Sequence, residues 1–435
     1  MPDVEKASGY ARDARCWLAA VAAAVVALAV RVGVVVAVPI MPDGDGYSRL
    51  ACVNQLVVHA WLPLYQVTLR SLALLTSEPQ AFRLLTAAEG AWAAAAVALL
   101  VGRVRGPAGA LVAGLVVALC PALVLPATGL YQESLFVALV AGGFLGAAEG
   151  RAWGALLLLL ATWTRYEGWA AALVGALLLP RRYAWVPLLG PVVWLFGEGL
   201  SGAGVDFALT PMRLFEEARV LRSLAPYWVG WPLIAVATLG ALRGRLDRLE
   251  QAVMALAAVD LVAVAVFHPF SPVDNARQLV VPALALAVLA GRAAAGGGVL
   301  AIAAIVAAAA IPLPQVVAGT TDWAGRATDA RRAALGERVA GQVRPGERVL
   351  VVSPGEQRWP GAEPDGCLFV AVWARLPRER VVCDTEVPDG DLRSWLDATN
   401  VALVVVLGEG ALPIHRRVAD EHLPELAPGL YLARR

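Results

Sequence analysis

Lysine is almost missing from this chain: Lys6 is the single one among 36 Lys plus Arg residues. Nearly every cation is therefore a guanidinium, a planar fork that binds phosphate and carboxylate through paired N–H donors. Cysteine is scarce as well, and its five copies show no close pairing, which excludes a zinc-finger or redox Cys-x-x-Cys motif. Charged residues make up 16% of the chain against 59% hydrophobic, a balance that rules out a single soluble domain and points to a polytopic membrane protein. An excess of charge is lacking too: the net charge is +1, which argues against nucleic acid as a partner.

Long apolar runs fill the first three quarters of the chain. They predict helices near 16–38, 83–101, 107–126, 132–148, 152–165, 167–180, 183–200, 226–242, 250–267, 278–291 and 297–316, about eleven spans. The first run is too long for a signal-peptide core and is taken as a retained helix. The two runs flanking Arg165 are each about 20 Å long at 1.5 Å per residue, short of about 30 Å of hydrocarbon, so one tilted helix over 152–180 competes with a hairpin. Charge favours the hairpin. With its tip outward, Arg103, Arg105, Arg151, Arg181, Arg182, Arg243, Arg245, Arg248 and Arg292 all fall in short cytoplasmic loops, as the positive-inside rule requires. The N-terminus is then inside and the C-terminus outside. Between the first two spans, Gly46 to Ala60 and Leu62 to Leu75 mix apolar and polar residues at helical spacing and predict helices lying in the interface plane, as does Thr210 to Leu224.

After Pro314 charged residues become frequent. Short β-rich runs at Arg348–Val352, Leu368–Val372, Val401–Leu407 and Leu430–Ala433 alternate with helical patterns at Asp329–Val343, Leu392–Thr399 and Ile414–His422. The expected organisation is a transmembrane domain over 1–320 and a small extracytoplasmic α/β domain over 321–435. The latter has no Gly-rich phosphate loop and is assigned no catalytic chemistry. Cys367 and Cys383 both lie in it, either as a disulfide, which an oxidising outer compartment allows, or as two buried thiols.

Five polar clusters interrupt the apolar chain, and this topology puts all of them at the outer face. They are Asp43-Gly44-Asp45-Gly46-Tyr47, Tyr131-Gln132-Glu133, Thr164-Arg165-Tyr166-Glu167-Gly168, the Arg213-to-Arg222 loop, and His268 through Arg277. An acidic motif after the first span, interface helices and a later outer arginine resemble the GT-C superfamily of integral-membrane glycosyltransferases, which take a sugar from a polyprenyl-phosphate carrier. Gly44-Asp45 with Arg49, followed by Trp61-Leu62-Pro63-Leu64-Tyr65, resembles the first loop of dolichyl-phosphate-hexose enzymes. Tyr131-Gln132-Glu133-Ser134-Leu135-Phe136 is similar to a Tyr-x-Glu-Ser-Leu-Phe segment of a glycosylphosphatidylinositol mannosyltransferase. Asn275-Ala276-Arg277-Gln278-Leu279 is similar to an Ala-Arg-Tyr-Leu-x-Pro segment, with Gln278 in place of the tyrosine and Pro282 one residue late. The resemblance covers residues 16–316. It implies a membrane hexosyltransferase, with mannose as one candidate sugar and a lipid, glycan or protein as acceptor.

Sugar transfer to a hydroxyl needs a base for the acceptor proton, and Asp45, with Asp43 beside it, is the candidate. The departing phosphate gains charge, so Arg165 and Arg277 are candidates to stabilise it. A phosphate leaves without a general acid, so one-step inversion suffices. Glu133 and Glu167 would hold sugar hydroxyls or orient the arginines, Tyr131, Tyr166 and Trp169 would stack on the sugar or line a lipid groove, and His268 would contact substrate.

Each assignment has a structural rival. Asp43–Gly46 also suits a plain turn, Arg165 also suits an ion pair with Glu167 or Glu133, Arg277 also suits a snorkelling helix end, and His268, like His59, also suits an interface or capping role. Asp43 and Asp45 would suit a divalent cation, although two carboxylates are too few to assert one. A lipid flippase or transporter would place its charges near the midplane within repeated helices, and no internal repeat is found. A non-catalytic assembly protein would explain the outer domain but not the acidic loop.

The sidedness is directly testable. A cysteine placed at Ala330 should react with an impermeant thiol reagent in intact cells and one placed at Arg182 should not; the reverse pattern would overturn the topology.

Overall fold

The structure is a computed structural model. It describes residues 2–38, 44–53, 62–201, 225, 227–267, 279–324, 327–352, 365–407 and 413–433. Two compact units emerge, one of residues 1–37, 59–67 and 83–319, the other of 38–58, 68–82 and 320–435.

The first unit is helical. It contains α1 (Pro2–Ala37), most of α4 (Pro79–Leu119), α5 (Pro121–Val124), α6 (Glu133–Ala148), α7 (Ala152–Thr162), α8 (Glu167–Leu178), α9 (Leu189–Ser201), α10 (Trp231–Leu242), α11 (Arg248–Phe267), α12 (Val280–Ala294), α13 (Val299–Ala310) and the start of α14 (Leu313–Ala324). Among the described residues three helical stretches are long and apolar enough to cross a membrane: Asp13–Ala37, Pro79–Leu119 and Val299–Ala318. A fourth appears if the pair Pro121–Thr128 and Glu133–Ala148, bent by 120°, counts as one span.

Proline and glycine punctuate this unit. Gly106, at φ +77°, breaks α4 just before Pro107, which separates the two runs expected there. The run expected over 107–126 instead stops at Leu119: Pro121 has no N–H to donate, so the chain restarts as α5 and a 3-10 turn over 126–128. The run expected to begin near 183 becomes helical only at Leu189, after a turn region that includes Pro187. The stretch 152–178 folds back on itself as α7 and α8, the hairpin that charge favoured.

Small residues set the closest helix contacts. A Cβ on Gly154 of α7 would lie 2.4 Å from Ala147 N and 2.9 Å from Gly143 O of α6, so the two helices touch backbone to backbone. A Cβ on Gly168 at the start of α8 would lie 2.3 Å from Ala161 O, which closes the hairpin.

At one end of the unit, Glu250 accepts from Arg105 Nε and Nη2, both at 2.6 Å, and from Arg292 Nη1 at 2.7 Å. Arg292 also donates to Gly240 O at 2.8 Å, Arg245 O at 3.0 Å and Arg243 O. The break of α4, the end of α10, the start of α11 and the end of α12 are thereby tied together by arginines that the topology expects in short cytoplasmic loops.

The second unit contains α2 (Gly44–Ala51), most of α3 (Pro63–Ala73) and a five-stranded sheet with its helices. Strands β1 (Arg348–Val352), β2 (Val381–Cys383), β3 (Val401–Val406), β4 (Glu425–Ala427) and β5 (Leu430–Leu432) lie in the order β2-β1-β3-β5-β4. The β2-β1-β3 half is parallel, with Leu350 opposite Val382 and Val404, and the β3-β5-β4 half is antiparallel. The helices are α15 (Ala327–Gln342), α16 (Asp365–Trp373), α17 (Leu392–Ala398) and α18 (Pro413–Asp420).

Buried Leu350, Val352, Val382, Leu392, Leu396 and Val404 form its core. The run Leu368–Val372, expected as a strand, is part of helix α16: a fully apolar run carries no periodicity to distinguish the two. Of the expected interface helices, α2 and α3 form over parts of their ranges; 54–61 and 210–224 lie outside the described residues. Cys367 of α16 and Cys383 of β2 are joined, their Cα atoms 5.7 Å apart.

Because Gly154 has no room for a methyl group, Gly154→Ala should lower stability by about 1–3 kcal/mol through overpacking. Gly341 of α15 has nothing within 4 Å of an added Cβ. Gly341→Ala should be neutral or stabilise by up to about 1 kcal/mol through helix propensity. Thermal unfolding of the purified full-length protein separates the two cases.

Candidate active site

The tip of the α7–α8 hairpin meets the start of α6 in the first unit. Glu133 is the first residue of α6 and Glu167 the first of α8, positions where the positive end of the helix dipole favours a carboxylate. Between them stands Arg165. Its Nε donates to Glu167 Oε2 at 3.0 Å, its Nη2 to Glu167 Oε1, and its Nη1 to Glu133 Oε1. Three of the five N–H donors of a guanidinium are thus committed to two carboxylates, one engaged bidentately. The cluster is mostly dry: the side chains of Arg165, Glu133 and Glu167 are 12%, 2% and 17% exposed.

Local chemistry holds the tip in place. Thr164 Oγ1 donates to Ala161 O at 2.7 Å, and Leu64 N, at the start of α3, donates to Trp163 O at 2.9 Å. Gly190 of α9 lies so close that a Cβ there would sit 1.7 Å from Thr162 Oγ1. Tyr166 stands edge-on to Trp169, with ring centroids 5.2 Å apart, and Trp169 Nε1 donates to Thr162 O at 3.3 Å.

The approach to Glu133 is equally constrained. Leu130 is fully buried in the left-handed region at φ +63°, and a Cβ on Gly129 would sit 2.6 Å from the buried Tyr131 ring. Arg83, itself buried, donates from Nε to Thr128 O at 2.7 Å and anchors the turn that leads into this corner. Behind Glu133 lies a cavity of about 10 Å³, lined by Arg31, Leu123, Glu133, Ser134 and Val280. That volume is about what one water molecule needs. Glu133 Oε2 has no hydrogen-bond partner among the described residues.

A fourth ionisable group, Asp260 of α11, was not singled out from the sequence. It is 2% exposed, both of its oxygens lack hydrogen-bond partners among the described residues, and it lies close enough to Glu167 and Arg165 for their charges to act on it. An aspartate inside an apolar span was the available signal.

The structure therefore brings together Glu133, Arg165 and Glu167, with Tyr131 and Tyr166 next to them in sequence. Asp45 falls in the second unit, on α2, one helical turn before Arg49; its side chain is not among those described. Asp43, His268 and Arg277 lie outside the described residues. Among the described residues no three His, Cys, Asp or Glu side chains converge as a metal site. The cation considered for Asp43 and Asp45 falls outside that set.

No family model matches the sequence, and no curated protein matches it. Solved structures do. ArnT from Cupriavidus metallidurans bound to undecaprenyl phosphate superposes with a TM-score of 0.60 at 14% identity, covering 94% of this chain and 97% of that one. ArnT in the apo state superposes at 0.54 with 15% identity, covering 92% and 94%. The chain shares its fold with ArnT. The likeness runs the length of both chains, so the fold expected from the short motifs is the fold observed. The Archaeoglobus fulgidus oligosaccharyltransferase also matches, at 12% identity over 88% of this chain and 67% of that one, with a TM-score of 0.48 that adds nothing to the fold assignment.

The Arg165 cluster makes a sharp energetic prediction. Removing one partner of a buried ion pair strands the other, so Arg165→Ala should cost about 3–5 kcal/mol in unfolding stability. Arg165→Lys should recover only part of this, because an ammonium does not span two carboxylates as a fork does. Combining Arg165→Ala with Glu133→Gln and Glu167→Gln should restore much of the loss. Thermal unfolding in detergent reads all three; a stable Arg165→Ala protein would remove the cluster from its structural role.

Proposed function

We propose that this protein is an integral-membrane glycosyltransferase that moves a sugar from a polyprenyl-phosphate donor to an extracytoplasmic acceptor. The observation that carries the reading is a fixed, carboxylate-oriented arginine at the tip of a helical hairpin, in a fold shared end to end with ArnT, one of whose structures is bound to undecaprenyl phosphate. The sugar is a hexose on this reading, with mannose as a candidate, and the acceptor is a lipid, a glycan or a protein. The topology that goes with it has about eleven spans, the N-terminus inside, and the C-terminal domain outside.

Each residue has a separate task. Asp45 takes the acceptor proton as the anomeric carbon is attacked, with Asp43 supporting it or sharing a divalent cation. The anomeric carbon–oxygen bond to the phosphate breaks in the same step, inverting the configuration, and the phosphate leaves as a monoester. Guanidiniums stabilise its growing charge: Arg165, held rigid by Glu133 and Glu167, and Arg277. His268, Tyr131 and Tyr166 contact donor or sugar. Preorganisation supports this division of labour, because a guanidinium already fixed by two carboxylates pays little reorganisation when charge develops.

Loss of a general base costs about 10²–10⁴ in rate. Asp45→Asn should therefore reduce transfer from a polyprenyl-phosphate sugar by that factor while donor binding stays near wild type. Asp43→Asn should cost less, unless a cation is bound, in which case both variants fail and a chelator inhibits the wild type. Wild-type turnover in Asp45→Asn would eliminate the assignment.

A further inference from the structure

We propose that α16 (Asp365–Trp373) braces the acidic helix α2, and that Arg375, just beyond its end, is a positioning residue for Asp45. The proposal rests on the reading of Asp45 as the base; its structural part stands on the second unit alone.

Helix α2 spans only eight residues and includes Gly44 and Gly46. A helix that short and glycine-rich does not persist in water by itself, so its geometry comes from what it packs on. Within the second unit it packs on α16. That helix is held from several sides. Cys367 joins it to Cys383 of β2, and Gly336 of α15 lies so near Trp373 that an added Cβ would sit 2.5 Å from the Trp373 Cβ.

The end of α16 is the informative feature. Leu376 N donates to Ala371 O at 2.9 Å and Arg375 N to Val372 O at 3.1 Å, the pattern of a Schellman cap. The cap residue takes the left-handed conformation that glycine adopts freely, and here it is Arg375 at φ +54°. What arginine adds over glycine is its side chain, whose Nη2 reaches Glu78 Oε1 at 2.8 Å and Oε2 at 3.0 Å. Arg375 is 35% exposed and Glu78 58%, and an ion pair so open to water contributes little to stability. Stability therefore does not account for an arginine at a strained cap, whereas position does.

Glu78 closes the same outer segment, 39–82, in which α2 lies near the beginning. Both ends of that segment are attached to α16, one by helix packing and the other by the Arg375–Glu78 pair. The α/β unit on this view is a jig for the acidic helix, and the pair is its latch.

The test uses the full-length protein in detergent, with two readouts. One is hydrogen exchange of residues 44–51 and 76–82; the other is kcat and KM for transfer from a polyprenyl-phosphate sugar. Arg375→Gly should leave the thermal midpoint unchanged or raised, yet speed exchange in both segments about two- to five-fold. It should also lower kcat without changing KM for the donor. Arg375→Glu and Glu78→Arg should behave alike, and the double reversal should restore both protection and kcat. Unchanged exchange over 44–51 in Arg375→Gly, or a double reversal no better than either single, would overturn the brace. A wild-type protein inert toward every lipid-linked sugar would count against the Asp45 reading only, since exchange is measured without turnover.

Discussion

A single guanidinium joins the two helix ends on which the site is built. Helices α6 and α8 each begin with a glutamate, and each helix N-terminus favours that charge on its own account. Bringing both ends to one partly dry corner sets two carboxylates against each other, a repulsion on the order of several kcal/mol when water is excluded. Arg165 converts that conflict into a clamp, bidentate to Glu167 and single to Glu133. The hairpin tip, the turn at Leu130 and the start of α6 are all positioned relative to this contact. The glycine contacts of α6 with α7 make it reachable, because helices that touch backbone to backbone bring their ends within side-chain range.

Guanidiniums also serve helix ends elsewhere in the first unit. Arg31, fully buried in α1, donates to Val117 O at 3.0 Å and Ala118 O at 3.4 Å, last-turn carbonyls of α4 that have no intrahelical donor, and to Leu123 O at 2.9 Å. A cation there also faces the negative end of the helix dipole. Its close packing requires Gly90, where a Cβ would sit 2.2 Å from Arg31 Nε. Arg292 likewise serves the end of α10, donating to Gly240 O in its last turn and to Arg243 O just beyond it. Several fixed donors in a plane reach several carbonyls at once, which an ammonium on a flexible stem does less well. The near absence of lysine thus has a structural counterpart: many guanidiniums serve backbone oxygens rather than ligands.

Charge and periodicity made much of this legible. The hairpin over 152–178 followed from the arginine distribution, and the pairing of Arg165 with Glu133 and Glu167 was visible as the structural rival to phosphate binding. In the second unit β1, β3, β5, α15, α17 and α18 fall on runs of the expected type, whereas β2, β4 and α16 do not. What escaped had physical causes. Asp260 and Arg31 sit within apolar runs whose average hides a single charge, and only their burial shows that each needs accounting for. The run around Leu368 is uninterrupted apolar sequence, so neither a two-residue nor a 3.6-residue period marks it. The Asp43–Gly46 motif suited a turn on composition, yet from Gly44 onward it is helix, because packing within the second unit outweighs the propensity of two glycines.

The charge count at the hairpin tip constrains how any anionic donor is held. Arg165 supplies one positive charge, while Glu133 and Glu167 supply two negative ones and Asp260 adds a third wherever it is ionised. On these groups alone the corner is negative and would repel a phosphate. Arg165 supplies direction rather than net attraction: it fixes donors in space but cannot provide the field that draws a phosphate in. On the transferase reading that field has to come from other guanidiniums. The sequence offers Arg213, Arg219, Arg222 and Arg277 as candidates, close to the ends of apolar runs. Attraction and alignment then fall to different arginines, and only the aligning one needs a rigid mount, which is why a clamp of two glutamates stands behind Arg165.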